Sequence, residues 1–256
     1  MKKNVMMRVA SVMLVLVLLT SSVISGTFAK YVTADDASDT ARVAKFGVVA
    51  TVDGTLFAKN YLEVDAGNTP ADAGELTVKS QSDANVVAPG TKNAEGLTIT
   101  LTGQPEVDVA VEFKFEATKE IKLNKDTAFD DPTTGADEAV DFVVDADYYP
   151  VVFTLKNDAG ATLASGNVKA IQDYLTAELN KTYDAGTLLG DIGGGSVGKY
   201  TLTWEWAFQN AVTDVDVKDT YLGNAAAAKY FGAAFPTDGT ELDMDVTFSL
   251  SVTQVD

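Results

Sequence analysis

Histidine and cysteine are both missing from this chain. Without histidine there is no Ser-His-Asp or Cys-His catalytic arrangement, no imidazole ligand for zinc and no metalloprotease helix of the H-E-x-x-H kind. Without cysteine there is no disulfide, no thiolate metal site and no lipid-modified cysteine, so stability has to come from a buried core. Basic side chains are scarce as well: 19 Lys and Arg stand against 37 Asp and Glu, a formal net charge of −18. A surface of that sign repels nucleic acid and anionic lipid, which bind proteins through Lys and Arg, and a nucleic-acid function is excluded. Long apolar runs are lacking too. The main one, Val9 to Leu19, covers about half of the roughly 20 residues that a membrane-spanning helix needs.

That run has the flanks of a secretory signal peptide instead. Lys2, Lys3 and Arg8 precede it, and small and polar residues follow it up to Thr27-Phe28-Ala29, in the order basic, apolar, small that export signals share. Residues 1–29 are therefore expected to be a signal peptide, cut between Ala29 and Lys30. Removing it takes away three basic residues and no acidic one, so the mature chain is more acidic still. Contact with the membrane is expected only through the uncleaved signal. The chain ends in a strand-like run at Asp256 with neither an apolar tail nor a sorting motif, and secretion to the extracellular matrix or cell surface is the expected destination.

What is present in quantity is alternation. Leu242, Met244, Val246, Phe248, Leu250 and Val252 are interleaved with polar residues, as are Val107, Val109, Val111, Phe113, Phe115 and Ala117, and Tyr200, Leu202, Trp204, Trp206 and Phe208. A period of two places one face of a strand on a core and the other in water. Shorter versions occur at Leu97, Ile99 and Leu101, at Val151, Phe153 and Leu155, and from Phe46 to Val52. Two segments change period. Val168, Ile171, Leu175 and Leu179 have helical spacing within Asn167 to Tyr183, with Asn167 suited to capping the start. A second helix is expected from about Val217 to Phe231, closing at Gly232. Asp126 to Asp147, acidic and containing Pro132 and Gly135, reads as a loop. These features predict an all-β protein: a jelly-roll-type antiparallel β-sandwich over residues 46–256, with one or two helices inserted in long connections. Residues 30–45 are expected to form an N-terminal donor-strand or linker segment ahead of it.

Candidate chemistry is thin. Gly193 to Lys199, GGGSVGK, matches the first seven positions of a phosphate-binding loop, but Tyr200 follows where a magnesium-binding hydroxyl is needed, and a strand rather than a helix follows the glycines. Asp130, Asp131, Asp137, Glu138 and Asp141 have oxygen ligands for calcium but not the ordered spacing of an EF-hand loop, and read as a solvated acidic segment. Trp204 and Trp206 lie on the same strand face as Leu202 and Phe208, which suits core packing better than sugar stacking. Paired carboxylates for acid and base work cannot be picked out among so many acidic residues. The expectation is a protein that is not an enzyme and holds no cofactor or metal.

The cleavage region carries a resemblance. Gly26-Thr27-Phe28-Ala29-Lys30-Tyr31, the acidic and small stretch Asp35-Asp36-Ala37-Ser38-Asp39, and Ala44-Lys45-Phe46-Gly47 resemble the start of the TasA/camelysin family of Gram-positive bacteria. Ala88-Pro89-Gly90 is similar to that family's turn ahead of a strand, and Val246 to Gln254 to its closing strand. The resemblance implies a jelly-roll subunit of biofilm matrix fibres, processed by a dedicated signal peptidase. It also implies head-to-tail homopolymers in which the mature N-terminus of one copy completes a sheet of the next, with a sister matrix subunit as a further partner. The metallopeptidase label of some relatives is not implied here, because histidine ligands are missing. The donor strand would be Lys30, Tyr31, Val32, Thr33, Ala34, Asp35, Asp36, Ala37, Ser38, Asp39 and Thr40, with Tyr31 and Val32 as its anchors; it has too few large apolar residues to form a core but can pair its backbone with a sheet edge. The alternatives are a monomeric secreted or cell-surface binding module for a glycan or protein and, third, an acidic hydrolase.

Overall fold

Among the described residues seven longer strands carry the fold, and all but Thr162–Gly166 sit where the sequence alternates. They are β1 (Val48–Gly54), β2 (Thr91–Gly103), β3 (Val109–Lys119), β4 (Val152–Asn157), β5 (Thr162–Gly166), β6 (Lys199–Trp206) and β7 (Asp245–Gln254). The computed structural model describes residues 42–61, 78–80, 84–129, 142–207, 213–232 and 236–255. Every strand pairing among the described residues is antiparallel. One sheet has the order β1-β2-β6-β4-β5, and the other places β3 between the short strand Thr182–Tyr183 and β7. The all-β antiparallel class expected from the alternation is therefore found.

The apolar rows of the two sheets meet. Leu97, Ile99 and Leu101 of β2, Phe153 and Leu155 of β4, and Tyr200, Leu202 and Trp204 of β6 are buried together with Val109, Val111, Phe113 and Phe115 of β3. Phe113 meets Tyr200 edge-on at 5.7 Å between ring centres, and Phe115 meets Phe153 at 5.0 Å. Each such side chain contributes about 1.5–3 kcal/mol by leaving water, and the ring pairs add to this. Two of the buried aromatics have their polar ends satisfied: the Trp204 indole donates to the Leu56 carbonyl at 2.6 Å and the Tyr200 hydroxyl to the Ile192 carbonyl at 2.6 Å.

β2 is long because it kinks. Opposite β6 its register jumps from Leu202↔Leu97 to Trp204↔Asn93, and the Asn93 side chain fills the gap. Its oxygen accepts from the Glu95 and Gly96 amides and its nitrogen donates to the Thr55 and Leu56 carbonyls, both at 2.8 Å. Gly96 is required at this kink: its φ is +56° and a Cβ would stand 2.0 Å from the Leu202 oxygen.

Two helices occupy connections. Helix α1 (Val168–Tyr174) begins where predicted, with Asn167 accepting from the Ala170 amide at 3.0 Å. It continues as a wider turn over Leu175–Leu179. The expected helical stretch to Tyr183 is corrected here: the backbone leaves the helix at Asn180, and Thr182–Tyr183 is a strand. Helix α2 (Thr213–Phe231) starts ahead of Val217, since Asp214 and Asp216 in its first turn favour the positive end of the helix dipole. It closes at Gly232, whose amide reaches the Ala228 carbonyl. The base of the acidic segment is also structured, contrary to a plain loop reading: Ala128–Phe129 pairs with Phe142–Val143, because Phe129 is buried against Tyr221 of α2, 4.0 Å away and stacked. Residues 130–141 and Phe208 lie outside the described residues.

Phe115 is fully buried between Phe153 and Phe248. Replacing it with alanine is expected to lower unfolding stability by about 3–5 kcal/mol, measured by urea titration followed through tryptophan fluorescence.

Candidate functional site: an open sheet edge

The two edges of the smaller sheet are treated differently. On one side of β3 the backbone has partners from Val109 to Phe115. Lys181 and the short strand Thr182–Tyr183 pair with Val111, Ala110 and Val109. Beyond them Asn180 acts as a stand-in strand residue, its oxygen accepting from the Phe113 amide at 2.7 Å and its nitrogen donating to the Phe113 carbonyl at 2.9 Å. Gln172 of α1 accepts from the Phe115 amide at 2.6 Å. These bonds satisfy groups that a bare edge leaves unpaired.

On the far side stands β7, and among the described residues it pairs with β3 alone. It runs for 10 residues, DVTFSLSVTQ, with no Lys, Arg or Pro, the residues that usually blunt an edge. Its inward row of Val246, Phe248, Leu250 and Val252 is only partly buried, whereas the neighbouring row Val109, Val111, Phe113 and Phe115 is at most 3% exposed. β1, the edge of the larger sheet, passes close to β7 and contributes Val48 and Val52, also partly buried. No backbone ladder joins the two among the described residues. The result is a seam with an apolar floor and two rims of backbone donors and acceptors, suited to an extended segment.

The entrance to β7 is pinned. Asp243 accepts from Lys119 at the end of β3 at 2.8 Å, from Lys229 of α2 at 3.1 Å, and from the Tyr230 hydroxyl. The hydrogen bonds from Lys119 and Tyr230 hold its carboxyl well below the usual aspartate range. Thr118 donates to Asp245 at 2.7 Å beside it.

The remaining sequence candidates fall elsewhere. In GGGSVGK, the amides that would face a phosphate already serve the molecule itself: Ser196 and Val197 donate to the Asp158 carboxylate at 3.0 and 2.8 Å, and Lys199 opens β6 rather than a helix. Trp204 and Trp206 are buried, 2% and 5% exposed, with no face left for a sugar. Among the described residues no group of His, Cys, Asp and Glu side chains gathers as a metal site, and no helix is long and apolar enough to cross a membrane. Asp130, Asp131, Asp137, Glu138 and Asp141 lie outside the described residues, as do the cleavage pair Ala29 and Lys30 and the donor segment Lys30 to Thr40. The pin at Asp243 was missed in the sequence, because its partner on β3 is 124 residues away.

No protein-family model, no curated protein and no solved structure matches this chain.

Asp243→Asn is expected to cost about 1 kcal/mol at neutral pH, the low figure reflecting partial solvent exposure. A depressed carboxyl stabilises the fold above its unfolded value near 3.8 and loses that contribution as pH falls further. The gap in urea midpoint between wild type and variant should therefore stay constant from pH 5 to 8 and narrow below about pH 4.

Proposed function

We propose that this chain is a secreted structural subunit that polymerises into extracellular matrix fibres, the mature N-terminal arm Lys30 to Thr40 of one copy lying in the β1–β7 seam of the next. The single observation that carries this reading is the seam itself: a 10-residue edge with no strand on its outer side among the described residues, above an apolar row that those residues leave partly uncovered. An added strand there would gain a full ladder of backbone bonds and bury Val246, Phe248, Leu250 and Val252 more completely.

Length supports the pairing. At about 3.3 Å per residue the arm spans roughly the length of β7, and Tyr31 and Val32 supply the large side chains for the apolar floor. Charge supports it as well. Copies even more acidic than the full chain's −18, once the three basic residues of the signal are gone, repel one another, which favours directed backbone pairing over general stickiness. An arm that leaves its own domain and enters the next makes a heterologous contact, which does not close and so yields filaments.

The same reading takes the two sheets as a jelly-roll-type sandwich. Its support is the path of β6, which returns after α1 to the middle of the larger sheet, between β2 and β4, as in a Greek-key connection. Removal of residues 1–29 by a signal peptidase is the step that frees the arm. Fibre assembly calls for neither catalysis nor a cofactor. The second reading, a monomeric secreted binding module, uses the same seam for an extended segment of another protein.

Protein beginning at Lys30 is expected to form filaments visible by negative-stain electron microscopy. Deleting residues 30–40 should leave a folded monomer that does not polymerise, and the double substitution Tyr31→Asp, Val32→Asp should do the same. Filaments of normal form from the truncated protein would overturn the proposal, and a monodisperse intact protein at high concentration would favour the binding module.

A further inference from the structure

Asp219 is the one charged side chain in the buried set of the described residues, at 6% exposed. It projects from the middle of α2 onto the base of the acidic segment. One carboxylate oxygen accepts from the Tyr148 hydroxyl at 2.7 Å. The other, Oδ2, has no hydrogen-bond partner among the described residues, and neither has the indole nitrogen of Trp206 at the end of β6. That indole lies beside the carboxylate and favours its charge, without reaching hydrogen-bond geometry. No cation among the described residues compensates it. Lys218, next along the helix, is turned away, its ammonium lying 5.6 and 5.5 Å from the ring centres of Phe142 and Tyr148 and 3.8 Å from Asp145. Asp216, one turn back, adds a second negative charge. The neighbouring Tyr221 directs its hydroxyl to the Pro236 carbonyl.

A buried carboxylate without a cation is costly when charged and tolerable when protonated. We propose that Asp219 is a proton-operated latch for α2: neutral, it lets the helix stay seated on Phe129, Tyr148 and Trp206, and charged, it drives the helix toward lifting off that bed. Desolvation, helped by Asp216 and opposed by Tyr148 and Trp206, raises the carboxyl from 3.8 to about 6. A folded-state value raised above the unfolded one stabilises docking fully at pH below about 4 and loses that contribution as pH rises through 6. The latch thus works in mildly acidic to neutral surroundings, where no other side chain type present titrates at its ordinary value, histidine being absent. It is independent of the fibre reading, since it concerns α2 and its bed within one molecule.

Hydrogen exchange of the intact chain, followed by mass spectrometry and corrected for intrinsic rates, tests it. The opening equilibrium of residues 213–231 is expected to rise on the order of thirtyfold between pH 4.5 and 7.5, with a midpoint near 6. Asp219→Asn keeps the shape and an acceptor for Tyr148, and should abolish the pH step. Tyr148→Phe removes the hydrogen bond that favours the charge, and should move the midpoint upward. Protection that is flat with pH in the wild type, or a step that persists unchanged in Asp219→Asn, would overturn the proposal.

Discussion

Everything in this molecule leans on the burial of one face of β3. Val109, Val111, Phe113 and Phe115 are the rows against which the larger sheet closes, and Phe113 and Phe115 also touch Phe248 of β7. With no disulfide available, this interlock of aromatic rings is what fixes the distance between the sheets. The polar consequences follow from it: once Tyr200 and Trp204 are drawn inside, their hydroxyl and indole groups must find carbonyls, and they reach out to Ile192 and Leu56. Those bonds tie the glycine-rich segment and the chain after β1 to the core.

The edges are the second constraint. A sheet that buries one face still has two rims, and the chain resolves them in opposite ways. Side chains and a short strand cover part of the rim of β3, while β7, paired along its length with β3, has no strand on its outer side among the described residues and is pinned at its entrance by Asp243. A carboxylate with two ammonium groups and a phenol about it gathers the end of β3, the end of α2 and the start of β7 at one partly exposed point. It sets where β7 begins, and so the register of Val246 against Ala117 and Leu250 against Phe113.

Much of this was legible in the residues. Strict alternation over Leu242 to Val252 leaves no helical solution, and the strands of the core stand where their apolar rows repeat. Asn167 and Gly232 mark helix ends because their roles are local: a side-chain oxygen for free amides, a backbone that tolerates positive φ. What the sequence hid was long-range. The helical spacing up to Leu179 says nothing of Asn180 turning to serve Phe113, 67 residues earlier. Phe129 within an acidic stretch carries no periodic signal, and its burial becomes apparent only once α2 lies over it. Asp219 was equally unreadable, since acidic residues are common along α2 and only packing distinguishes the buried one from Asp214 and Asp216.

Asn180 does the work of a strand residue with one side chain. By occupying the Phe113 backbone on both its donor and its acceptor, one amide side chain closes that point of the rim. The two long sides of one small sheet are thereby chemically unlike: on one an amide side chain stands in for a strand, while on the other, among the described residues, β7 pairs with β3 alone.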